Sequence, residues 1–406
     1  MKLAFVTPRY SPGGVVGGAE TLIRKLAVHA AAAGHEVHLL TTCALDHFSW
    51  ANARPAGEEK AEGMTVHFFP VNEDRDVNTF LRVQGKIDKN QKVSREEQEQ
   101  WAASSVCSRD LVNWLRREGQ GFDAIMVGPY LFGITVQVAR ILPERVWLIP
   151  CLHDESFARL DIIADMFRSV RGHLFNAPPE RALAHRLYGL PADSGHVVGM
   201  GMEPFEADPE AFAKRHGINR PYLLYCGRRE AGKNTPMLLD YVDAYRKRRQ
   251  SDIPLVLTGS GEYTPPETLR HDILDFGFVS ETEKREAMAG AVAFIHPSTN
   301  ESFGIVLLEA WLAGTPALVH AKSDVLRWQC ENANAGLWFA YYPEFEAMLD
   351  VLINQPDLRK RLGENGRRHV QSTFTWEAVG QRLFSALATT QASSPPAPET
   401  QPPLSP

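Results

Sequence analysis

The stretch KLAFVTPRYSPGGVVGGAETLIRKLAVHAAAAGHEVHLLTT, residues 2–42, decides the fold class of the chain. Its first apolar run, Leu3 to Thr7, is typical of a short buried strand, and a loop rich in glycine and proline follows it. Apolar residues then recur at the spacing of one helical face, at Ala19, Leu22, Ile23, Leu26, Ala27 and Ala30. Val37 to Thr41 predicts a second strand. Strand, glycine loop, helix and strand form the crossover unit of a doubly wound parallel sheet, so the sequence predicts an α/β fold.

The alternation of strands and helices continues outward from this unit and starts again in the second half of the chain. Further strands are predicted at Met64 to Phe69, Ala124 to Val127, Val146 to Pro150, Tyr222 to Cys226, Pro254 to Thr258, Ile273 to Phe276, Val292 to His296 and Pro316 to His320. Helices are predicted near Pro236 to Arg248 and after Ser302. Both patterns lapse in GMGMEPFEADPE, residues 199–210. The sequence therefore predicts two similar α/β domains, 1–203 and 204–374.

The composition is that of a globular protein with two cores. The 406 residues exceed the usual size of a single core, and 44% of them are hydrophobic and 23% charged, which excludes fibrous and wholly disordered proteins. The net charge of −6 provides no concentrated basic surface, so no nucleic acid partner is expected. The end of the chain, SSPPAPETQPPLSP, is rich in proline and has no apolar periodicity. We expect residues 390–406 to be disordered.

The cysteines and the N-terminus indicate a cytoplasmic protein. The five cysteines are far apart and never form a CxxC pair, so neither a disulfide framework nor a zinc site is expected. The apolar run before Pro8 is too short for the core of a signal peptide, and no stretch is long enough to span a bilayer. A reducing cytoplasm is therefore the expected location.

The segment HPSTNESFGIVLLEAWLAG, residues 296–314, carries the strongest indication of chemistry. The predicted helix from Ile305 to Ala313 is apolar on every face, as a buried helix is, yet Glu309 lies in its middle. A buried carboxylate needs hydrogen-bond donors, and two adjacent hydroxyls of a sugar or a ribose supply them. Glu301 precedes the helix, and the free N–H groups of Ser302 to Ile305 attract phosphate. Two carboxylates with an anion site between them suit a nucleotide sugar.

This segment resembles the paired-glutamate signature of the retaining glycosyltransferases of family 4. That family has the GT-B fold, in which two Rossmann-like domains face each other across a cleft. Arg228 and Lys233, in CGRREAGKN, resemble the pair with which the family holds the donor diphosphate. The TGSG turn at Thr258 to Gly261 and FGFVS at Phe276 to Ser280 stand where the family has a glycine turn and a nucleobase loop.

The resemblance extends to the first domain and covers most of the chain. Four glycines of this chain resemble the glycine-rich loop of the family: Gly13, Gly14, Gly17 and Gly18. His153, in PCLHDE, resembles the sugar-facing histidine of the family. The loop does not fit GxGxxG, and glycines after a first strand occur in many nucleotide-binding folds. No resemblance is found between Phe48 and Gly121, the acceptor side that varies across the family.

The resemblance implies a role for each residue and a metal-independent, retaining reaction without a cofactor. Glu309 is expected to hold the donor ribose, and Glu301 the transferred hexose near the reacting carbon. Arg228 and Lys233 are expected to stabilise the charge that develops on the leaving diphosphate, in place of a metal. The expected catalytic residues are Glu301, His153, Arg228 and Lys233. The expected donor-binding residues are Gly14, Gly17, Arg228, Lys233, Gly259, Phe278, Val279, Phe303, Gly304, Ile305 and Glu309.

The expected activity is hexosyl transfer from a nucleotide diphosphate sugar to a hydroxyl of a saccharide or lipid-linked acceptor, as in polysaccharide biosynthesis. Donors of the GDP-mannose and UDP-glucose types are not separated by the sequence. As in the resembled family, the last helix, 375–389, is expected to pack back on the first domain. A nucleotide-sugar epimerase of the same fold and a non-catalytic sugar-nucleotide-binding protein stay open as alternatives.

Two features of the first domain allow other interpretations. Asp74 and Asp76 spell the DxD with which metal-dependent glycosyltransferases hold a cation on the diphosphate. Five cations lie close together in the sequence, at Arg82, Lys86, Lys89, Lys92 and Arg95. They could face an anionic membrane or a lipid diphosphate acceptor at the inner face of the membrane. They could equally form a solvated helix face that the acidic run after Arg95 balances.

Overall fold

The structure, a computed structural model, describes residues 1–12 and 17–391. The strands of the first domain are β1 Lys2–Val6, β2 Glu36–Thr42, β3 Gly57–Ala61, β4 Met64–Phe69, β5 Ala124–Val127, β6 Val146–Leu148, β7 Gly172–Phe175 and β8 His196–Val197. Its helices are α1 Gly18–Ala32, α2 Val77–Asp88, α3 Arg95–Ser104, α4 Arg109–Glu118, α5 Gly133–Ile141, α6 Asp161–Ser169 and α7 Pro178–Tyr188. Short 3₁₀ turns occupy Gly119–Gly121 and Ser156–Arg159.

The first sheet has the strand order β3-β4-β2-β1-β5-β6-β7-β8. All neighbouring strands run parallel except β3 and β4, which are antiparallel. Strand β1 is central, and Leu3 pairs with Val37 on one side and with Ala124 on the other. Because helices cover both faces of a parallel sheet, its inner strands are continuous apolar runs rather than alternating ones. Because β1, β5 and β6 run parallel, their carboxyl ends meet at one edge of the sheet.

The second domain repeats this architecture with a smaller sheet. Its strands are β9 Leu223–Cys226, β10 Leu255–Thr258, β11 Ile273–Asp275, β12 Ala293–His296, β13 Ala317–His320 and β14 Gly336–Phe339, all parallel, in the order β11-β10-β9-β12-β13-β14. Its helices are α8 Ala211–His216, α9 Thr235–Arg249, α10 Glu281–Gly290, α11 Ile305–Leu312, α12 Asp324–Ala333, α13 Tyr342–Asn354 and α14 Pro356–Thr373, with 3₁₀ turns at Ala231–Lys233 and Glu267–Asp272. A last helix, α15, spans Trp376–Gln391.

Each strand that the sequence predicts is present, with ends that differ by two residues at most. Four further strands, β3, β7, β8 and β14, are not predicted by the sequence. Strand β3, GEEKA, is charged and largely exposed, because it is an antiparallel edge strand that buries little apolar surface. Strand β8 has only two residues. Periodicity identifies buried central strands and fails at such edges.

The last helix crosses back to the first domain. Buried residues of α15 share one apolar cluster with buried residues of α1; they are Val379, Leu383, Ala386, Leu387, Leu22, Ile23 and Leu26. The rings of His35 and Phe384 meet edge to face at 4.6 Å. Before α15, the N–H of Met202 donates to the carbonyl of Phe374 at 2.6 Å, so the two segments that connect the domains touch each other.

The expected domain boundary at residue 203 lies in the stretch without regular structure between Val197 and Ala211. Helix α15 ends at Gln391, so Thr390 and Gln391 are helical and the expected tail begins too early. The helix therefore extends two residues into the expected tail. Residues 392–406 lie outside the described residues.

Candidate active site

Glu301 and Lys233 form the centre of the site, although they are far apart in the sequence. Lys233 follows β9 and Glu301 follows β12, and these strands are neighbours, so both residues lie at the carboxyl edge of the second sheet. Lys233 Nζ donates to Glu301 Oε1 at 2.6 Å. Burial opposes the charge on Glu301, but His296, Lys233 and His153 outweigh burial and hold its pKa below the usual range. Glu301 is therefore an anion at neutral pH.

His153 approaches this pair from the first domain. It follows β6, and its Nδ1 lies 3.8 Å from Glu155 Oε1. Burial lowers the pKa of His153, Glu155 and Glu301 raise it, and Lys233 lowers it, with a lowered pKa as the result. The imidazole is therefore neutral at neutral pH, and it faces Glu301 and Lys233 across the cleft. The structure brings these three predicted catalytic residues together.

A buried glutamate that the sequence did not reveal holds the loop that carries His153. Glu180, in the first turn of α7, accepts a hydrogen bond from Leu152 N at 2.6 Å and one from Asn176 N at 2.5 Å. Burial raises the pKa of Glu180 to about 8, against the hydrogen bonds from Asn176, Leu152 and Ala177, which lower it. Next to Leu152, Cys151 takes a left-handed backbone with φ of 51°. Glu180 thus fixes the backbone on both sides of the approach to His153.

His296 is a second residue of the site that the sequence did not reveal. It ends β12, is buried, and places its Nε2 3.7 Å from Glu301 Oε1. Burial lowers the pKa of His296 to about 4, so the ring is neutral. Its Nδ1 has no hydrogen-bond partner among the described residues. A histidine at the end of a buried strand is indistinguishable from a core residue in a sequence.

The two adjacent arginines after β9 have different environments. Arg228 is 62% exposed, and its Nη2 lies 3.5 Å from Glu230 Oε1, so its charge is available to a ligand. Arg229 is only 7% exposed and is bound to Asp275 at 3.1 Å and to the carbonyl of Gly261 at 2.9 Å. Arg229 therefore fixes the loop from which Arg228 projects.

The predicted glycine turn and nucleobase loop lie beside this loop. Gly259 has φ of 113°, and its N–H donates to the carbonyl of Gly277 at 2.7 Å, so it joins the turn to the predicted nucleobase loop. Phe278 is 71% exposed, which is unusual for a phenylalanine, whereas Val279 is half-buried. The structure therefore places these residues at the carboxyl ends of β10 and β11, beside the loop that carries Arg228.

Helix α11 begins at Ile305, after Gly304 in a left-handed conformation with φ of 84°. A Cβ atom at Gly304 would lie 2.7 Å from Leu326 Cδ2, so any other residue is strained and crowded there. Phe303 is buried, with its ring 5.3 Å from that of Phe374, and its carbonyl accepts from Gln329 Nε2 at 3.3 Å. Phe303 thus anchors the start of the helix in the core.

The end of the glycine-rich loop faces α11 from the first domain. A Cβ atom at Gly18 would lie 3.2 Å from Ile305 Cδ1. The N–H of Gly17 donates to Glu20 Oε2 at 2.7 Å, and the same carboxylate binds Arg9 through two hydrogen bonds. The N–H of Gly17 is therefore occupied by a side chain, and the residue is expected to shape the loop. Gly13 and Gly14 lie outside the described residues.

Glu309, on α11, is paired with a lysine. Lys284 Nζ, on α10, donates to Glu309 Oε1 at 3.0 Å. Burial raises the pKa of Glu309, and Lys284 partly offsets this effect. Each of the two predicted glutamates thus has its own lysine in the structure.

The alternative metal site is not assembled. Asp74 accepts two hydrogen bonds of 2.9 Å from Arg109, and Asp76 caps α2 by accepting from Thr79 N at 3.0 Å. Within residues 1–12 and 17–391, no three histidine, cysteine, aspartate or glutamate side chains converge as metal ligands would. The two aspartates therefore have structural partners.

The basic residues near α2 are partly neutralised. Arg82 and Lys86 bind Glu97 at 3.0 and 2.6 Å, and Arg95 binds Glu99 and Asp165. These ion pairs agree with the interpretation that the cations form a solvated helix face, balanced by the acidic residues that follow Arg95. No described helix is both long enough and apolar enough to cross a membrane.

Comparison with known proteins finds a family model that matches part of the chain. Residues 208–369 match the family model described as "Glycosyl transferases group 1". The chain carries a group 1 glycosyltransferase domain. This group 1 domain contains every second-domain residue of the site, from Arg228 to Glu309. The overall fold is GT-B, with two Rossmann-like domains.

Curated relatives and a solved structure agree with the group 1 domain. An alpha-D-kanosaminyltransferase of Streptomyces kanamyceticus is 27% identical over 210 residues, which are 48% of this chain and 54% of that protein. The chain thus spans about half the length of that relative. A D-inositol 3-phosphate glycosyltransferase of Paenarthrobacter aurescens is 23% identical over 91% of this chain and 93% of that protein. A sucrose-phosphate synthase from Thermosynechococcus elongatus superimposes with a TM-score of 0.73 over 97% of this chain and 100% of that chain, at 17% identity, which shows the shared fold.

Proposed function

We propose that the protein transfers a hexose from a nucleotide diphosphate sugar to a hydroxyl of a saccharide acceptor, with retention of the anomeric configuration and without a metal ion. The observation that supports this most is the meeting of Glu301, Lys233 and His153 across the cleft. An anion, a cation and a neutral imidazole from two domains converge where the carboxyl ends of both sheets meet, the usual ligand position of doubly wound folds.

Each member of this group has a chemical task in the proposed reaction. Lys233 and Arg228 stabilise the negative charge that grows on the leaving diphosphate, because fixed cations there bind the transition state more strongly than the ground state. Glu301 binds hydroxyls of the hexose and stabilises positive charge near the reacting carbon. His153, which is neutral, donates to or accepts from the sugar without adding charge.

The acceptor is expected to bind at the first domain, opposite the donor. A relative named D-inositol 3-phosphate glycosyltransferase supports a small hydroxylated acceptor, such as a saccharide. A lipid-linked saccharide presents the same hydroxyl. The exposed ring of Phe278 offers a stacking surface to a purine or a pyrimidine base.

The function is tested by screening nucleoside diphosphates for thermal stabilisation and then assaying the corresponding sugars with and without saccharide acceptors. A ligand that binds only the folded state raises its apparent stability, so the screen identifies the donor nucleotide. We expect a glycosylated product that forms only when an acceptor is present. Nucleotide release without an acceptor would instead favour an epimerase, and binding without any turnover would favour a non-catalytic binding protein.

We predict that a strong chelator leaves the transfer rate unchanged. In the proposed site Arg228 and Lys233 supply the positive charge that a metal would otherwise provide on the diphosphate. The measurement is the initial rate of product formation, before and after dialysis against the chelator. Loss of activity that manganese restores would contradict the proposal and would direct attention to Asp74 and Asp76.

We predict that an α-linked donor gives an α-linked product. The likeness of residues 297–310 to the signature of the retaining family supports this expectation. The anomeric carbon–proton coupling of the first-formed product, measured by NMR before any equilibration, reports the configuration. A β-linked first product would remove retention from the proposed mechanism while leaving the donor site unaffected.

A further inference from the structure

The pair of Lys284 and Glu309 combines two opposite charges in a poorly solvated part of the donor side. Their side chains are 17% and 18% exposed, and the two charged atoms are 3.0 Å apart. Lys284 also reaches Glu281 at 2.9 Å, but Glu281 is 68% exposed and lies on the same helix, α10. Glu309 is therefore the inner partner of Lys284, and this contact joins α10 to α11.

The other groups around Glu309 do not replace this lysine. On α10, Glu281 disfavours the anionic form of Glu309 and Arg285 favours it, and the guanidinium of Arg285 stacks over the ring of Phe205 at 4.5 Å. From β9, the buried thiol of Cys226 faces the same charges. Burial raises the pKa of Glu309, and Lys284 is the strongest influence that lowers it. Without the ammonium of Lys284, burial and Glu281 still raise the pKa of Glu309, and Arg285 is the main group that lowers it.

Lys284 keeps its own charge in this environment. Burial works against the ammonium, but Glu309 and Glu281 outweigh burial and raise the pKa of Lys284 above its usual value. The lysine is therefore a permanent cation at neutral pH. Its Nζ donates one hydrogen bond to Glu309 Oε1, which fixes that oxygen, and also lies 2.9 Å from Glu281 Oε2.

We propose that Lys284 is a positioning residue of the nucleoside subsite, which holds Glu309 anionic and in place so that its carboxylate accepts both hydroxyls of an intact ribose. The inference rests on the proposed function, in which Glu309 belongs to the donor site. An ionised carboxylate only accepts hydrogen bonds, whereas a protonated one donates through one oxygen and cannot accept from two vicinal hydroxyls in the same way. The ligand class is thus a nucleotide with a free 2′,3′-diol.

The test measures the affinity of the preferred nucleoside diphosphate by calorimetry between about pH 6 and pH 8.5. The carboxylate of Glu309 is ionised above its pKa, so the diol contact is present at high pH and is lost as the pH falls through that value. In Lys284→Met the diol contact should be lost at a higher pH than in wild type. We expect this variant to bind the diphosphate about 10-fold or more weaker than wild type near pH 6, and its affinity to recover largely near pH 8.5. Lys284→Arg, which keeps the charge, should bind within a few fold of wild type throughout.

The 2′,3′-dideoxy diphosphate separates positioning from general damage to the site. Because this ligand has no diol, its affinity should be the same in wild type and in Lys284→Met at every pH. Lys247→Met is the matched control, since Lys247 also lies 2.6 Å from a carboxylate, that of Asp243 on the same helix, α9, and its own side chain is exposed. The melting temperature of each variant reports whether the fold survives.

Three outcomes overturn the inference. Lys284→Met could bind the diphosphate as wild type does at all pH values, it could lose affinity without any pH dependence, or it could lose affinity equally for the dideoxy ligand. In each case wild type still binds the nucleotide, so the proposed function stands. If wild type binds no nucleoside diphosphate, the proposed function fails and the inference fails with it.

Discussion

The Glu301→Ala variant is expected to lower kcat by about 100-fold or more, while the affinity for nucleoside diphosphate stays within a few fold of wild type. In the proposed site Glu301 lies beside the sugar, so its loss is expected to remove stabilisation of the transition state rather than of the bound nucleotide. Its removal also releases Lys233 from their 2.6 Å hydrogen bond and leaves this cation free for the diphosphate. Initial rates with saturating donor, together with calorimetry of the diphosphate, measure both quantities.

Glu210→Ala provides a matched control for this variant. Glu210 also accepts from a lysine, Lys214, at 2.6 Å, but the pair lies on the surface of the short helix α8. Its removal should change neither kcat nor nucleotide affinity, because exposed ion pairs contribute little. Equal losses of kcat and of nucleotide affinity in Glu301→Ala would show that Glu301 is structural and would remove it from the catalytic group.

Arg228→Ala and Lys233→Ala are each expected to weaken diphosphate binding by about 10- to 150-fold, because a hydrogen bond to a charged group contributes roughly 1.5 to 3 kcal/mol. The loss should follow the number of phosphates, so the affinity for the bare nucleoside should hardly change. Calorimetry of the nucleoside, the monophosphate and the diphosphate with each variant gives the comparison. Arg228→Ala is the cleaner of the two, since Arg228 is exposed and its removal leaves Glu301 with its lysine.

Arg229 offers a contrast within the same loop. Arg229→Ala should destabilise the loop because this guanidinium is buried on Asp275, and it should therefore affect all three ligands together. If Arg228→Ala and Lys233→Ala both bound the diphosphate as tightly as wild type, the loop after β9 would not be the leaving-group site. The assignment of the donor site would then depend on α11 alone.

The sequence was sufficient where a residue type conflicted with its surroundings. Glu309 in an apolar helix is such a conflict, and it lies in a segment that belongs to the group 1 domain. The glycine before that helix, Gly304, was expected only through the family resemblance, and the structure shows that it takes the left-handed conformation at the turn into α11. The α/β fold followed from the buried strands, which are continuous apolar runs.

The sequence was insufficient where function depends on which of several similar residues faces inward. Helix α10, ETEKREAMAG, contains acidic and basic residues at most positions, so spacing alone does not show that Lys284 reaches Glu309. The choice between Arg228 and Arg229 likewise depends on the close packing of the loops after β9 and β10. Glu180 was missed because its partners are backbone N–H groups, and one of them, that of Leu152, is distant in the sequence.

Because α15 packs on the first domain, that domain is completed only after α15 has been synthesised. The apolar face of α1 is made among the first residues, yet the helix that covers it is made last. At about 5–20 residues per second, translation of the residues between the end of α1 at Ala32 and the start of α15 at Trp376 takes roughly 17 to 70 seconds. During that interval the first domain carries an uncovered apolar surface, so the new chain depends on protection from chaperones or on fast completion of the second domain.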